Sequence, residues 1–166
     1  ITANKWIGTD FLLWLLHAGM TGDLGSQQPT WIDNKIVLMG ESEEGPQTVT
    51  ILGPQHRLKE LKAAIRDNKK ITEATIYLED GDDTWRMTLK GEAFYFASFL
   101  CPSVIIERDD YANMDNERLA VFLERMHLLQ KGISLLELAL TTFLERRLGG
   151  DAWIESLQEI HEWLLE

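Results

Sequence analysis

The stretch Ile71 to Lys90, ITEATIYLEDGDDTWRMTLK, decides the fold. Ala74, Ile76 and Leu78 alternate with Thr75, Tyr77 and Glu79, and Trp85, Met87 and Leu89 alternate with Arg86, Thr88 and Lys90. A period of two puts each set on its own face of a strand. Between the two runs, Asp80-Gly81-Asp82-Asp83 supplies the residues that a tight hairpin turn requires. An isolated hairpin is marginal in water, so this pair needs further strands and an apolar cover.

Both lie in the flanking sequence. Downstream, Phe94, Phe96 and Ser98 against Tyr95, Ala97 and Phe99 predict another strand, after a tight connection at Gly91 and Glu92. Upstream, Pro54 to Asn68 reads as a helix opened by Pro54. Before it, Trp31 to Gly40 and Thr48 to Leu52 read as strands joined by the polar turn Glu41 to Gln47, which contains Gly45-Pro46. Residues 4 to 18 predict a helix with Ile7, Phe11, Trp14 and Leu15 on one stripe. Leu12, Leu13 and Leu16 widen that stripe almost to the full circumference, the mark of a buried helix. Thr9 and Asp10 would cap only a late start of it, and Gly19, Gly22, Gly25 and Pro29 form a loop behind it. In the last third, Asp115 or Asn116 caps a helix to Lys131, Gly132 interrupts it, and Ser134 to Leu148 resumes. Gly149-Gly150 stops that helix, and Asp151 caps a third with Trp153, Ile154, Leu157, Ile160 and Leu164 on its apolar side. The expectation is an α+β fold: an antiparallel sheet of four or five strands covered by helices, with a helical C-terminal layer, as one domain over residues 1–166.

Composition agrees. A chain of 166 residues with 45% hydrophobic and 26% charged side chains is neither disordered nor fibrous. Its longest apolar run, Phe11 to Leu16, is far shorter than the ~20 residues that span a bilayer. A single cysteine, Cys101, permits no intrachain disulfide and fits a reducing cytoplasm. Beginning at Ile1 without a basic leader, the chain reads as a fragment with no signal peptide. Most of the six tryptophans read as core, with Trp6 and Trp163 as candidates for an exposed interface.

The catalytic and ligand motifs fail in turn. His161-Glu162 begins like a zinc-protease helix, but Leu165 holds the second histidine position. His17, His56, His127 and His161 are scattered and share no ligand spacing with Cys101. Gly132-Ile133-Ser134 lacks the second glycine of a nucleophile elbow. Cys101, before Pro102 at a strand end, reads as a buried structural thiol. Gly19, Gly22 and Gly25 follow a helix, where a dinucleotide fingerprint needs a strand. The acidic turn Glu79 to Asp83 lacks the alternating ligands of a calcium loop. No catalytic set, metal or cofactor is expected, and the chain reads as a non-enzyme.

Charge is more informative. The net charge is −11, yet residues 54–70 hold six basic and two acidic side chains, +4, against −15 elsewhere. On a helix at 100° per residue, Lys59, Lys62, Arg66, Lys69 and Lys70 share an arc of about 100°, and Arg57 is the sixth basic residue of the segment. Leu58, Leu61 and Ile65 lie beside them and can face the sheet. Either this is a solvated helix face, or Arg57, Lys59, Lys62, Arg66, Lys69 and Lys70 contact phosphates. On the second reading, binding to double-stranded DNA is weak and blind to sequence.

Three segments together resemble the recombination-associated RdgC family. Thr9 to Leu15, TDFLLWL, resembles that family's EFLTWLW helix, and Leu61 to Ala74 resembles the stretch leading into its strand pair. Glu124-Arg125-Met126, Leu135 to Leu138, Phe143 to Leu148 and Trp153 resemble its helical C-terminus. The similarity covers nearly all of this chain and the C-terminal half of a family member. It implies a bacterial, cytoplasmic, nucleoid-associated protein that is not an enzyme. It implies a ring-shaped dimer that binds DNA without sequence specificity and restrains RecA-driven strand exchange. The chain departs from the pattern at Asp10, where glutamate is usual, and in its acidity, since the family's ring lining is positive. The alternative is an acidic interaction module that binds a basic protein partner and no DNA. A homodimer is also expected from surplus apolar residues at Leu128, Leu129, Leu135, Leu136, Leu138, Leu140, Phe143 and Leu144.

Overall fold

Five strands form one antiparallel sheet: β1 (Thr30–Ser42), β2 (Gly45–Leu52), β3 (Lys70–Asp80), β4 (Asp83–Lys90) and β5 (Tyr95–Leu100), in the order β2-β1-β3-β4-β5. The structure is a computed structural model that describes residues 5–22, 24, 30–105 and 114–166. The expected loop residues Gly25 and Pro29, and the side chain of Trp6, lie outside the described residues. The β3–β4 hairpin has the register its alternation predicts: Ala74 faces Leu89, Ile76 faces Met87, and Leu78 faces Trp85. Gly81 makes the turn at φ +63°, a conformation that glycine adopts without penalty.

Four helices cover one face: α1 (Lys5–Thr21), α2 (Leu58–Arg66), α3 (Met114–Leu148) and α4 (Asp151–Leu165). α1 buries Phe11, Leu12, Trp14, Leu15 and Leu16, as its apolar circumference requires. It approaches the sheet end so closely that a Cβ on Gly8 would sit 2.0 Å from the Gly91 carbonyl oxygen. Phe143 of α3 meets Phe11 and Trp14 of α1 edge-on or tilted, at centroid distances of 5.4 and 5.7 Å. The α+β architecture expected from the pattern is the one observed.

Several local expectations need correction. The β1–β2 turn is only Glu43-Glu44, because Ser42 already pairs with Gly45. Pro46 lies inside β2, which tolerates a missing N–H because it is an edge strand. Phe94 belongs to the turn before β5, and an irregularity opposite Thr88 and Leu89 places Phe96 and Phe99 together on the helix side. The helix expected from Pro54 begins at Leu58, with Gly53 to Arg57 spent on turns. It ends at Arg66: the Asn68 amide reaches Ile65 O and the Lys69 amide reaches Ala64 O, with Asn68 at φ +62°. That is a Schellman closure.

Gly132 does not interrupt α3, which runs unbroken for 35 residues. A helical glycine costs about 1 kcal/mol and does not by itself break the helix. Here it makes room, since a Cβ would lie 2.6 Å from Trp85 Nε1 and 2.8 Å from Phe99 Cζ. Through that gap Trp85 Nε1 donates to Leu128 O at 2.9 Å. Asp115 and Asn116 lie inside the first turn rather than capping it. Asp151 is the first residue of α4, preceded by Gly150 at φ +67°, and no side chain caps this end. α4 buries Ser156, Ile160, Trp163 and Leu164 and leaves Ile154 and Leu157 exposed, the reverse of the expected stripe for those two. Trp163 is therefore core: it packs edge-on against His17 at 5.4 Å, because α4 docks on α1 and α2.

Candidate nucleic-acid interface

α2 docks by Leu61 and Ala64, with Leu58 and Ile65 partly buried beside them, as the leucine pattern predicts. The six cations expected on its other side do not form one stripe. α2 ends at Arg66, so Lys69 and Lys70 belong to the reversal and to the start of β3 rather than to a helical arc. Lys62 is buried: its Nζ donates to the Trp163 carbonyl and lies 4.7 Å from the centre of that indole. This lysine anchors α4 to α2 and cannot also hold a phosphate.

The other five face outward to different degrees. Arg57 pairs with Glu60 at 3.2 Å, and Lys69 pairs with Asp67 at 3.6 Å with its stem laid against Gly40. Lys70 is exposed within electrostatic reach of Asp10. Lys59 and Arg66 are exposed. Seven residues apart, they share an azimuth and stand about 10 Å apart along the helix.

The sheet face away from the helices holds groups that no sequence motif marks. Glu73 takes Lys35 Nζ at 2.8 Å and Lys90 Nζ on its other oxygen. Those two hydrogen bonds hold the Glu73 carboxyl below the usual range, and Glu73 in turn raises Lys90. Beside them the Thr75 and Thr88 hydroxyls share a 2.9 Å hydrogen bond. Period-two alternation puts Thr75, Tyr77, Arg86, Thr88 and Lys90 on this face, but which face stays uncovered is not a local property.

On the covered face, Asp33 is 6% exposed, and burial pushes its carboxyl up to about 7. The Trp31 indole N–H, two residues earlier, is buried and has no hydrogen-bond partner among the described residues. Asp10 on α1 pairs with Arg147 at 3.4 Å, and burial nonetheless raises its carboxyl. Lys131 bridges Asp80 and Asp83 at 2.9 and 2.8 Å, which clamps α3 to the β3–β4 hairpin.

Cys101 is half-buried beyond β5, and desolvation raises its thiol, which keeps it protonated and weakly nucleophilic. His17 is buried, while His56, His127 and His161 are exposed on separate elements. Of the apolar residues expected to drive dimerisation, Leu128, Leu136 and Phe143 are buried within the chain, and Leu129, Leu135, Leu140 and Leu144 are half-buried. Only Leu138 of that set is exposed. The surplus lies earlier on α3, where Leu119, Phe122, Leu123 and Met126 are each about half exposed.

No protein-family model, curated protein or solved structure matches the chain. Among the described residues no helix is long and apolar enough to cross a membrane.

Proposed function

We propose that the chain is a non-enzymatic, RdgC-like DNA-binding protein. It holds the phosphate backbone of double-stranded DNA without reading sequence, in the cytoplasm and at the nucleoid, in recombination control. The observation that supports this most is the pair Lys59 and Arg66, exposed in line on a helix that Leu61 docks from the opposite side and Lys62 pins at its flank. Lys70 is exposed at the start of β3, off the helix. Arg57, Lys69 and Lys70 contribute less, since each already has a carboxylate neighbour.

Two phosphate contacts give a salt slope of about −2, and Kd on the order of 10⁻⁴ to 10⁻⁶ M at physiological salt. The acidity elsewhere on the chain pushes affinity toward the weak end. The test is anisotropy of a labelled duplex across a salt series. Lys59→Glu with Arg66→Glu abolishes binding and leaves the urea midpoint unchanged. If the wild type does not bind at the lowest salt, or the double variant binds equally well, the DNA reading fails. The acidic surface then serves a basic protein partner.

A homodimer belongs to the same proposal, through a different surface from the one expected. Leu119, Phe122, Leu123 and Met126 fall at i, i+3, i+4 and i+7, a single apolar stripe on α3. Beside α3, the edge strand β5 is uncharged, with Phe96 exposed on the helix side. Edges of this kind are normally paired or covered. Light scattering gives twice the 19.0 kDa chain mass, and Phe122→Glu with Met126→Glu returns the monomer. A monomeric wild type at high micromolar concentration refutes the dimer.

A further inference from the structure

We propose that the helix-free face of the sheet is a second nucleic-acid surface, a platform for an unpaired strand whose bases stack on Tyr77 and Tyr95 while Lys35, Arg86 and Lys90 hold its phosphates. This rests on the reading that the chain binds nucleic acid, but it uses a site on the opposite layer from α2. The strand register brings the groups together. Tyr77 stands directly across from Arg86 on β4, and Lys90 directly across from Tyr95 on β5.

Four residues along the strand and two strand spacings across place the two rings about 17 Å apart on a diagonal. That diagonal suits a short extended strand, with cations on both sides of it. Tyr95 is 53% exposed, and the Lys35 and Lys90 side chains are 36% and 37% exposed. Arg86 is exposed and has no ion-pair partner among the described residues.

The charge is complementary to a strand. Glu73 sits between Lys35 and Lys90, fixing both ammonium groups while cancelling only one of them. With Arg86 the centre of this face is net +2 on a chain of net −11. Glu79 lies on this face one alternation step beyond Tyr77, near Arg86 and away from Lys35 and Lys90, so it weakens the field only at the hairpin end. Such a field steers a polyanion to the middle of the sheet and away from the rest of the surface.

Stacking selects an unpaired strand over a duplex, because a duplex has no open base face for the tyrosines. A basic protein, the other occupant in view, is disfavoured here by the same +2. Every one of these side chains comes from a regular strand, so the platform is preorganised and costs little ordering on binding.

The test uses the full chain with three labelled probes: oligothymidylate, oligouridylate and a duplex of equal length, read by anisotropy over a salt series. The wild type binds the single strands with a salt slope of about −2, since about 0.7 accrues per phosphate and three cations are present. Tyr95→Ala weakens strand binding about fivefold or more, the loss of one stacked base. Arg86→Gln reduces the salt slope by about 0.7. Neither changes duplex binding, while Lys59→Glu with Arg66→Glu removes duplex binding and spares the strand. Both sheet substitutions are at exposed positions, and unchanged urea midpoints verify folding.

Preference between the thymidylate and uridylate probes separates DNA from RNA as the source of the strand, and binding to either supports the platform. Absence of strand binding at the lowest salt overturns it, as does wild-type strand affinity in both sheet variants. Equal weakening of strand and duplex by the sheet variants also overturns it, since both ligands would then share one surface. Loss of the duplex site alone refutes only the α2 reading.

Discussion

Replacing Asp33 by asparagine stabilises the protein at neutral and alkaline pH, by an amount that the burial of this carboxyl sets. Asp33 lies on β1 beside Trp31 in the helix-covered layer, 6% exposed, and desolvation lifts its pKa from 3.8 to about 7. The native state therefore holds the proton more tightly than the unfolded chain does. Stability from this group is complete below the unfolded pKa, declines as pH rises from about 4, and is fully lost above about 7. A difference of about three units at 1.36 kcal/mol each amounts to about 4 kcal/mol. About 2 kcal/mol of that falls between pH 5.5 and 8. An asparagine has the same shape without the charge, so Asp33→Asn gains up to about 4 kcal/mol at pH 8 and about 2 at pH 5.5. The assay is urea unfolding followed by tryptophan fluorescence at several pH values. The quantity compared is wild type minus variant, which removes the general repulsion of an acidic chain. Glu73 does not confuse the result: its carboxyl is lowered, so its contribution is lost only as pH falls below the ordinary carboxylate range. Equal stability of the two proteins at pH 8, or a difference that does not vary with pH, would refute the argument.

Gly132→Ala destabilises despite the better helix propensity of alanine, by about 1–3 kcal/mol, because the new methyl group meets Trp85 and Phe99 at 2.6–2.8 Å. Thermal unfolding reads this directly, and a variant as stable as wild type would show that α3 can lift off the sheet at no cost. Lys62→Glu costs about 3 kcal/mol or more, since it buries a carboxylate against the Trp163 carbonyl, whereas Lys62→Met keeps the stem and costs much less. Urea midpoints of the two variants separate this anchoring role from a phosphate contact, and Lys62→Met with wild-type folding but no DNA binding would reverse the assignment.

The sheet was legible because the information is local. Alternation over residues 71–90 sets both strands, their turn and which residues share a face, and each of those is decided within a few residues. The helix ends were less legible. Pro54 looks like a helix start, yet the chain spends Gly53 to Arg57 on turns first. Gly132 looks like a break because its reason for being glycine lies on β4 and β5, more than 30 residues earlier in the chain. No pattern along α3 alone distinguishes a glycine that ends a helix from one that admits a neighbouring indole.

The candidate site divides along the same line. Periodicity separates the lysines of α2 from its leucines correctly, but it assumes that a helix has one partner. α2 has two, the sheet beneath and α4 beside it, and α4 is formed by residues about 100 positions later. Lys62 sits where the second partner arrives, so its charge is spent inside the protein. The cations of the uncovered sheet face are the converse case. Arg86 and Lys90 share a face in the sequence pattern, but nothing local marks that face as open. Among the described residues no helix covers it, because all four pack on the other side, where Trp31, Ile76, Leu78 and Trp85 need cover. Two effects then move the positive charge available to a phosphate. Long-range packing removes Lys62 from the surface of α2, and one-sided packing leaves Lys35, Arg86 and Lys90 in solvent. A chain of net −11 thus keeps two separate groups of cations at its surface, one along α2 and one on the sheet face away from the helices.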